Sequence, residues 1–467
     1  MDGMSPMNEF DVAIIGGGPG GYTAAEAAAR AGLRTALFER DKLGGTCLNR
    51  GCIPTKALLH AAEAWRTVNE AAELGISVEG ATYDFGAMHV RKDAVVAGLR
   101  EGIAKLMRAG KVAVVPAAAQ IVAPGVVEAA GQRYTARDII VATGSQPSVP
   151  PIPGADLPGV YTSDDLLEGE AAGKPIDSLA IIGGGVIGVE MAGIYAALGC
   201  RVTVLEALEH LLPPMDREIA QRLTAAFKKQ GIAVACGARV MGIERGAGDR
   251  LTVAYEDKRG RASAVEAAGV LVATGRRANT AGLFAPGCGC EPEFERGAIV
   301  AGEDGRTSQP HLWAIGDARA GTIQLAHVAE AQAKNAVAAI LGEPAPVDLR
   351  TVPSCVYASP EIASVGLTEA EAKAAGRAVC CGKSLAGASG KCAIEGCAAG
   401  YIKLVADAET GVLLGAQLVY PRATDLIGEL AVAVQRGLTA KELAAVIHPH
   451  PTFCEGVRAA AEAIAAR

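Results

Sequence analysis

Two cysteines stand five residues apart in the run Gly44-Gly45-Thr46-Cys47-Leu48-Asn49-Arg50-Gly51-Cys52-Ile53-Pro54-Thr55-Lys56. A thiol pair this close can interconvert dithiol and disulfide, and so can move two electrons. Gly44, Gly45 and Gly51 free the backbone to bring the sulfurs together. Pro54 is tolerated only near a helix start, which puts the thiols near a helix N-terminus, where a thiolate is stabilised. Arg50 and Lys56 add positive charge. Two cysteines at this spacing arise by chance often enough, so their setting carries the weight. Cys47 lies 26 residues after Gly21, the last glycine of a dinucleotide-binding fingerprint.

Thiol exchange also needs an acid–base group. Near the C-terminus stands His448-Pro449-His450-Pro451-Thr452-Phe453-Cys454-Glu455. A histidine with a carboxylate partner can take a proton from a substrate thiol and hold it as imidazolium. Read alone, the segment is equally a surface histidine beside a turn proline.

The elements that must position these groups come from an internal duplication. The strand pattern Phe10 to Ile15 runs into Gly16-Gly17-Gly18-Pro19-Gly20-Gly21, an Ala-rich helical stretch, and Thr35 to Glu39. The second copy runs from Leu179 through Gly183-Gly184-Gly185-Val186-Ile187-Gly188 to Glu206, and the first glycine precedes the terminal acid by 23 residues in both. In each, the first glycine allows the tight turn, the second admits a pyrophosphate, and the third packs the helix on the strand. The helix N-terminus then faces the phosphates. Glu39 and Glu206 stand where a carboxylate accepts ribose hydroxyls. A second echo closes each copy, Ile139 to Gly144 with Thr143-Gly144, and Val270 to Gly275 with Thr274-Gly275.

Two sites suggest two nucleotides. A carboxylate at Glu206 would repel a 2′-phosphate by about 4 kcal/mol at about 4 Å and an effective dielectric of about 20. Ala207 and Leu208 supply no offsetting charge, so NAD is expected over NADP.

At 467 residues the chain suggests about three domains. Aromatics are 4% while Gly reaches 58, which favours α/β architecture with close helix–sheet packing. The net charge of −7, with no Lys/Arg cluster, argues against nucleic acid as a partner. The polar first nine residues give no signal peptide, and no uninterrupted apolar run reaches about 18 residues. A cytoplasmic protein without membrane partners is expected. Cys288-x-Cys290 and Cys392-x4-Cys397 lack nearby histidines, so no metal site is expected.

Prolines 147, 150, 151, 153 and 158 mark a crossing between domains, and the stretch 342–353 another boundary. Leu312 to Asp317 reads as a strand ending in Gly-Asp, followed by a helix over 323–341. It is expected to rejoin the first domain. A strand at 401–405 and a helix over 423–436 follow.

The stretch Gly44 to Lys56 resembles the redox-active segment of the class I pyridine nucleotide–disulfide oxidoreductases. Its Gly-Gly-Thr-Cys-Leu-Asn opening and Cys-Ile-Pro ending are most similar to the branch that oxidises dihydrolipoamide. The resemblance extends over nearly the whole chain past the first nine residues. It implies FAD at Gly16, Gly18, Gly21, Glu39, Thr143, Gly144 and Asp317, and NAD at Gly183, Gly185, Gly188, Glu206 and Gly275. Cys47 resembles the interchange thiol that meets substrate. Cys52 resembles the thiol against the flavin. Lys56 and Glu190 match an ion pair near flavin N5, and His450 with Glu455 matches the base and its orienting carboxylate. Only His450 has Thr two on and Glu five on, so His448 is taken as structural.

In the family that base comes from the other subunit, which implies a homodimer. The implied fold is α/β, with two Rossmann-like dinucleotide-binding domains (FAD and NAD) and a C-terminal α+β dimerisation domain. Its boundaries are 1–150 with 276–345 for FAD, 151–275 for NAD and 346–467 for the interface. The implied reaction oxidises dihydrolipoyl groups on a carrier protein or acyltransferase core and reduces NAD+ to NADH. No lipoyl-carrier segment is read here, so the carrier lysine is expected elsewhere. Glutathione- or mercuric-reductase-like activity, or a mainly structural role in a multienzyme complex, are the alternatives. Arg50 and Thr55 depart from the Val and Ser of many members, and Arg50 is expected to be solvated.

Overall fold

The computed structural model describes residues 8–397 and 399–466. The start of the polar stretch read as lacking a signal peptide (residues 1–7) and the final residue of the interface segment lie outside the described residues.

Each glycine copy opens on a strand with no polar face to spare. Val12 to Ile15 and Leu179 to Ile182 are all buried, as expected of parallel strands covered on both sides. Among the described residues Glu9–Ile15 lies between Thr35–Phe38 and Gln132–Val141, parallel to both. Leu312–Ala314 pairs in parallel with the far side of Gln132–Val141. The late strand therefore does return to the first sheet. In the second copy Ser178–Ile182 lies between Arg201–Glu206 and Gly269–Val272, and Val160–Tyr161 adds beyond the latter. Both echoes close next to their own glycine strand.

The helix Pro19–Arg30 begins with Pro at its first turn, where its missing N–H costs nothing. Its buried Ala24, Ala25 and Ala28 share a core with Ala333, Ala336 and Val337 of the helix Ala326–Leu341. The expected start at Ile323 is displaced, because Ile323 to Leu325 stay outside the helix and Leu325 is extended. Those three residues instead line the central cavity.

Ser145–Pro147 pairs antiparallel with Arg276–Ala278, so the residues leaving the two echoes form one ribbon between the sheets. The C-terminal sheet is antiparallel, in the order Ser354–Val356, Ile362–Gly366, Leu413–Val419, Tyr401–Asp407, Val379–Leu385. The helices Ala423–Gln435 and Glu455–Ala465 pack with it in one core. Its Ile362, Tyr401 and Val419 pack in another, with Leu58, Val189 and Ile194. Lys403 is bound there by Glu369 at 2.8 Å and Asp216 at 3.4 Å.

One core histidine is under electrostatic load. His89, on the helix Phe85–Ala109, is buried edge-on to Phe85, and neither ring nitrogen has a partner among the described residues. Burial, with a smaller contribution from Lys92, lowers its pKa from 6.5 to about 4, against a weak opposing pull from Asp93. The unfolded chain therefore binds the extra proton between those values. That stabilising difference is complete above pH 6.5 and is lost as pH falls towards 4. His89→Leu should flatten this part of the stability profile. The measurement is the fall in Tm between pH 6.5 and 4.5, and an equal fall in both proteins would refute the assignment.

Candidate active site

The redox segment is two helical pieces joined at one residue. Gly45–Arg50 is a short helix, Gly51 is the joint, and Cys52 is the first residue of the helix Cys52–Glu70. Gly44 and Gly45 both have positive φ, and a Cβ on Gly45 would lie 2.6 Å from Gly18 Cα. The segment thus sits directly on the first glycine loop. Asn49 fixes the turn, its side-chain amide donating to the carbonyls of Gly45 at 2.9 Å and Leu43 at 3.1 Å. Cys47 and Cys52 are joined as a disulfide, with Cα atoms 4.7 Å apart.

The two glycine loops repeat each other atom for atom in their constraints. A Cβ on Gly16 would meet Ala142 O at 2.3 Å, and one on Gly183 would meet Ala273 O at 2.4 Å. A Cβ on Gly21 would meet Gly16 O at 1.7 Å, and one on Gly188 would meet Gly183 O at 2.0 Å. The middle glycines differ. A Cβ on Gly18 comes no nearer than 3.7 Å to anything, and one on Gly185 meets nothing. Both line the cavity, so they leave a cradle that a side chain would fill.

The terminal acids brace these loops. Glu39 accepts the Gly17 amide at 2.7 Å and the Asp41 amide at 2.8 Å. Glu206 accepts the Gly184 amide at 2.6 Å and the Leu208 amide at 2.7 Å. A carboxylate has about four lone-pair positions, so each retains capacity for ribose hydroxyls.

Both loops and both cysteines line one cavity of about 1210 Å³. Thr143, Gly144, Gly275 and Asp317 also line it. Thr143 Oγ1 is buried with no partner among the described residues, an unmet hydroxyl on the wall beside the first loop. Burial raises the Asp317 pKa, against the bond donated by Ser145 Oγ at 2.5 Å and the nearby Arg276 charge. Lys56 Nζ donates to both Glu190 oxygens, at 3.0 and 2.8 Å. Glu190 also accepts the Tyr357 amide at 3.1 Å, and the Lys56 ammonium lies 4.6 Å from the Tyr357 ring centre.

His450 is elsewhere. Its Nδ1 lies 2.9 Å from Glu455 Oε1, its side chain is 77% exposed, and it does not line the cavity. The Thr452 amide, and then His450, hold the Glu455 pKa below its ordinary value. His448 is buried, with Nε2 2.9 Å from Glu429 Oε1.

Arg50 is only partly solvated, being held by two carboxylates. It pairs with Asp41, and its Nε lies 3.2 Å from Glu168 Oε2. The fold brings the loop after Glu39 and the end of the helix Ser163–Leu167 against it. Local sequence around Arg50 carries no sign of either partner. Arg276 was also missed. It donates to Ser145 Oγ at 2.8 Å, Ser145 O at 2.9 Å and Thr46 Oγ1 at 3.4 Å, and lies 3.9 Å from Asp164. Burial lowers its pKa, against the pull of Asp164 and Asp317. The available signal was the break in the second echo, where Gly144 is followed by Ser but Gly275 by Arg.

Among the described residues, no group of three or more His, Cys, Asp or Glu side chains is placed to hold a metal.

Residues 10–333 match the model of the pyridine nucleotide-disulphide oxidoreductase family, and residues 352–461 match the dimerisation domain of the same family. The chain is 40% identical over 475 residues to a dihydrolipoyl dehydrogenase of Bacillus subtilis, covering 97% of each. It is 41% identical to the dihydrolipoyl dehydrogenase of Chlorobaculum parvum, over 97% of this chain and 96% of that one. Among solved structures it is similar to LpdA from Mycobacterium tuberculosis, with a TM-score of 0.88, 27% identity, and coverage of 97% of this chain and 99% of that one.

The glycine contacts separate two kinds of damage. Gly188→Ala forces a Cβ into Gly183 O, so it should lower Tm and nucleotide binding together. Gly185→Ala has room in the fold but intrudes on the cradle. It should leave Tm within about 1 °C, a surface-like change, while raising the KM for the pyridine nucleotide roughly tenfold, about 1.4 kcal/mol. A Gly185→Ala protein with unchanged KM would refute the cradle.

Proposed function

The chain belongs to the pyridine nucleotide-disulphide oxidoreductases, and we propose that it catalyses dihydrolipoamide + NAD+ → lipoamide + NADH + H+. The observation that carries this reading is the Cys47–Cys52 disulfide on the wall of the cavity into which both glycine loops open. The near-full-length likeness to dihydrolipoyl dehydrogenases supports it. The cofactors are FAD and NAD, and the matched dimerisation domain supports a homodimer.

The residues present fit both cofactors. Gly16, Gly18, Gly21 and Glu39, the unmet Thr143 hydroxyl, Gly144 and Asp317 would hold FAD. Gly183, Gly185, Gly188, Glu206 and Gly275 would hold NAD. When bound, FAD supplies the two-electron transfer from thiol to nicotinamide.

The sulfur steps belong to the chain. A substrate thiol gives its proton to His450 of the partner subunit, and the thiolate attacks Cys47. The Cys47–Cys52 bond breaks, a mixed disulfide forms at Cys47, and the electron pair is left on Cys52. The second substrate thiol loses its proton to solvent and displaces Cys47, which takes the proton held by His450, so the cyclic disulfide leaves and Cys47 remains as thiol with Cys52 as thiolate. Cys52, as the first residue of a 19-residue helix, holds a thiolate well. Glu455 orients His450 and stabilises its imidazolium. The exposure of His450, away from its own chain's cavity, supports its acting on the partner's. Lys56, held by Glu190, fixes a cation on the wall of the cavity.

The same proposal assigns 1–150 with 276–345 to FAD, 151–275 to NAD and 346–467 to the dimer interface. The return of Leu312–Ala314 to the first sheet supports this division. Its partner is a dihydrolipoyl group on a carrier protein or acyltransferase core. A cytoplasmic location is part of the reading, supported by ten free cysteines as in a reducing compartment. No described helix is long and apolar enough to cross a membrane.

Purified protein should be yellow and should oxidise dihydrolipoamide with a higher kcat/KM for NADH formation than for NADPH formation. His450→Gln should lower turnover by about 10² to 10⁴, the usual worth of a general base. A colourless protein, or near-normal dithiol oxidation by the variant, would refute the assignment. Cys52→Ser should abolish lipoamide reduction with the flavin still bound, as read from absorbance, and retained activity would refute the dithiol relay.

A further inference from the structure

The disulfide stands in a ring of charge that the sulfur chemistry above does not use. On the helix Gly45–Arg50, Cys47 and Arg50 are three residues apart and so lie on neighbouring positions of one face. Arg50, Cys47 and Cys52 all line the cavity. Two carboxylates from different parts of the chain close on this guanidinium, Asp41 just beyond the first glycine unit and Glu168 just after the helix Ser163–Leu167. Lys42 pairs with the same Glu168. That helix follows Val160–Tyr161, a strand of the second sheet. The contact therefore crosses from the redox segment to the unit that carries the second glycine loop. Burial opposes the Arg50 charge, but its bond to Asp41 and the nearby Glu168 and Asp164 outweigh this and hold its pKa above the ordinary value.

We propose that Arg50 is a positioning residue for the redox disulfide: with Glu168 and Asp41 it ties the segment to the second nucleotide unit and sets, by charge balance, the equilibrium between the Cys47–Cys52 disulfide and its dithiol. The assignment rests on the redox role given to this pair above. A cation beside a thiolate stabilises the reduced form, and an unpaired carboxylate destabilises it. With Arg50 in place the neighbouring carboxylates are compensated. Without it, Asp41 loses this partner on the wall of the cavity that the sulfurs line, and Glu168 keeps Lys42 alone. The dithiol then becomes the weaker state and the disulfide the stronger one. Removing the Glu168 charge instead leaves Arg50 and Lys42 in excess, with the opposite effect.

The test uses the purified holoenzyme equilibrated in dithiothreitol redox buffers, with Cys47 and Cys52 thiols counted by alkylation and mass spectrometry. R50V should shift the equilibrium towards disulfide about tenfold, or about 30 mV for a two-electron couple. It should also raise the pH at which reduced Cys47 alkylates. E168Q should shift both readings the other way. R50V/E168Q should return to within about threefold of wild type, a coupling expected of contacting charges. R50K keeps the charge and should stay near wild type in equilibrium.

Shifts of the same sign in R50V and E168Q, or a double variant no closer to wild type than R50V, would show that Arg50 only packs and overturn the proposal. If R50V does not fold, E168Q and R50K decide. E168Q must favour the dithiol and R50K must leave the ratio unmoved, and failure of either overturns it. A parallel assay of wild type with dihydrolipoamide keeps the two readings apart. Absence of that activity sinks the proposed function, whereas the thiol equilibria bear on Arg50 alone.

Discussion

Exchange of two electrons between a disulfide and two nucleotides requires all three to meet at one place, and the chain brings one disulfide to one cavity shared by two nucleotide loops. The contact between Gly45 and Gly18 is where that need is met most directly. A single methyl group on Gly45 would sit 2.6 Å from the first glycine loop's backbone. The redox segment is thus laid on the loop itself, with no spacer between them. The positive φ of Gly44 and Gly45 is what lets the backbone turn there. Cys52 then opens a 19-residue helix, so one sulfur is anchored in a long rigid element while Cys47 lies on a six-residue helix.

Charge follows the same geometry. On one side of the cavity, Lys56 is held by Glu190, and Glu190 is itself fixed by the Tyr357 amide, just after the strand Ser354–Val356. On another, Arg276 bonds Thr46, the residue before Cys47, and Ser145, which in turn bonds Asp317. Each cation near the sulfurs reaches a carboxylate carried by a different part of the chain. A buried charge without such a partner would cost several kcal/mol, on the order of 3 to 5 when one member of a pair is removed. The pairs therefore specify how the units dock as much as they tune the chemistry.

What the sequence disclosed, it disclosed through short-range pattern. The 23-residue spacing in both copies located the glycine turns and their acids, because the tight turn, the strand and the brace all lie within one unit. The His450 and Glu455 contact is as local, five residues long and ending at a helix start, but the segment alone read equally as a surface histidine, and the family resemblance singled out this pair. The Lys56–Glu190 pair spans 134 residues and was reached only through the family resemblance. Arg276 and its bond to Thr46 span 230 residues, and nothing in either neighbourhood announces the other. Arg50 was misjudged because its local surroundings are glycine and asparagine, whereas its environment is made by Asp41 and Glu168 after folding. The helix start misplaced at Ile323 is similar. Apolar residues there suit a helix face and equally suit a cavity wall, and periodicity does not separate the two.

The two copies stay alike where the backbone forbids change and part where they meet. The first and third glycines of each loop face a carbonyl oxygen closer than any Cβ permits, so both units carry the same residues there. The acids brace the loops through the same pair of amides. After the Thr-Gly turn no such constraint operates, and the copies differ, Ser145 in one and Arg276 in the other. Those two residues bond to each other across the ribbon that joins the sheets. Identical side chains would not serve there. Two arginines would repel, and two serines would leave Asp317 without the Arg276 charge. The difference between Ser145 and Arg276 makes the two similar nucleotide units complementary across the ribbon.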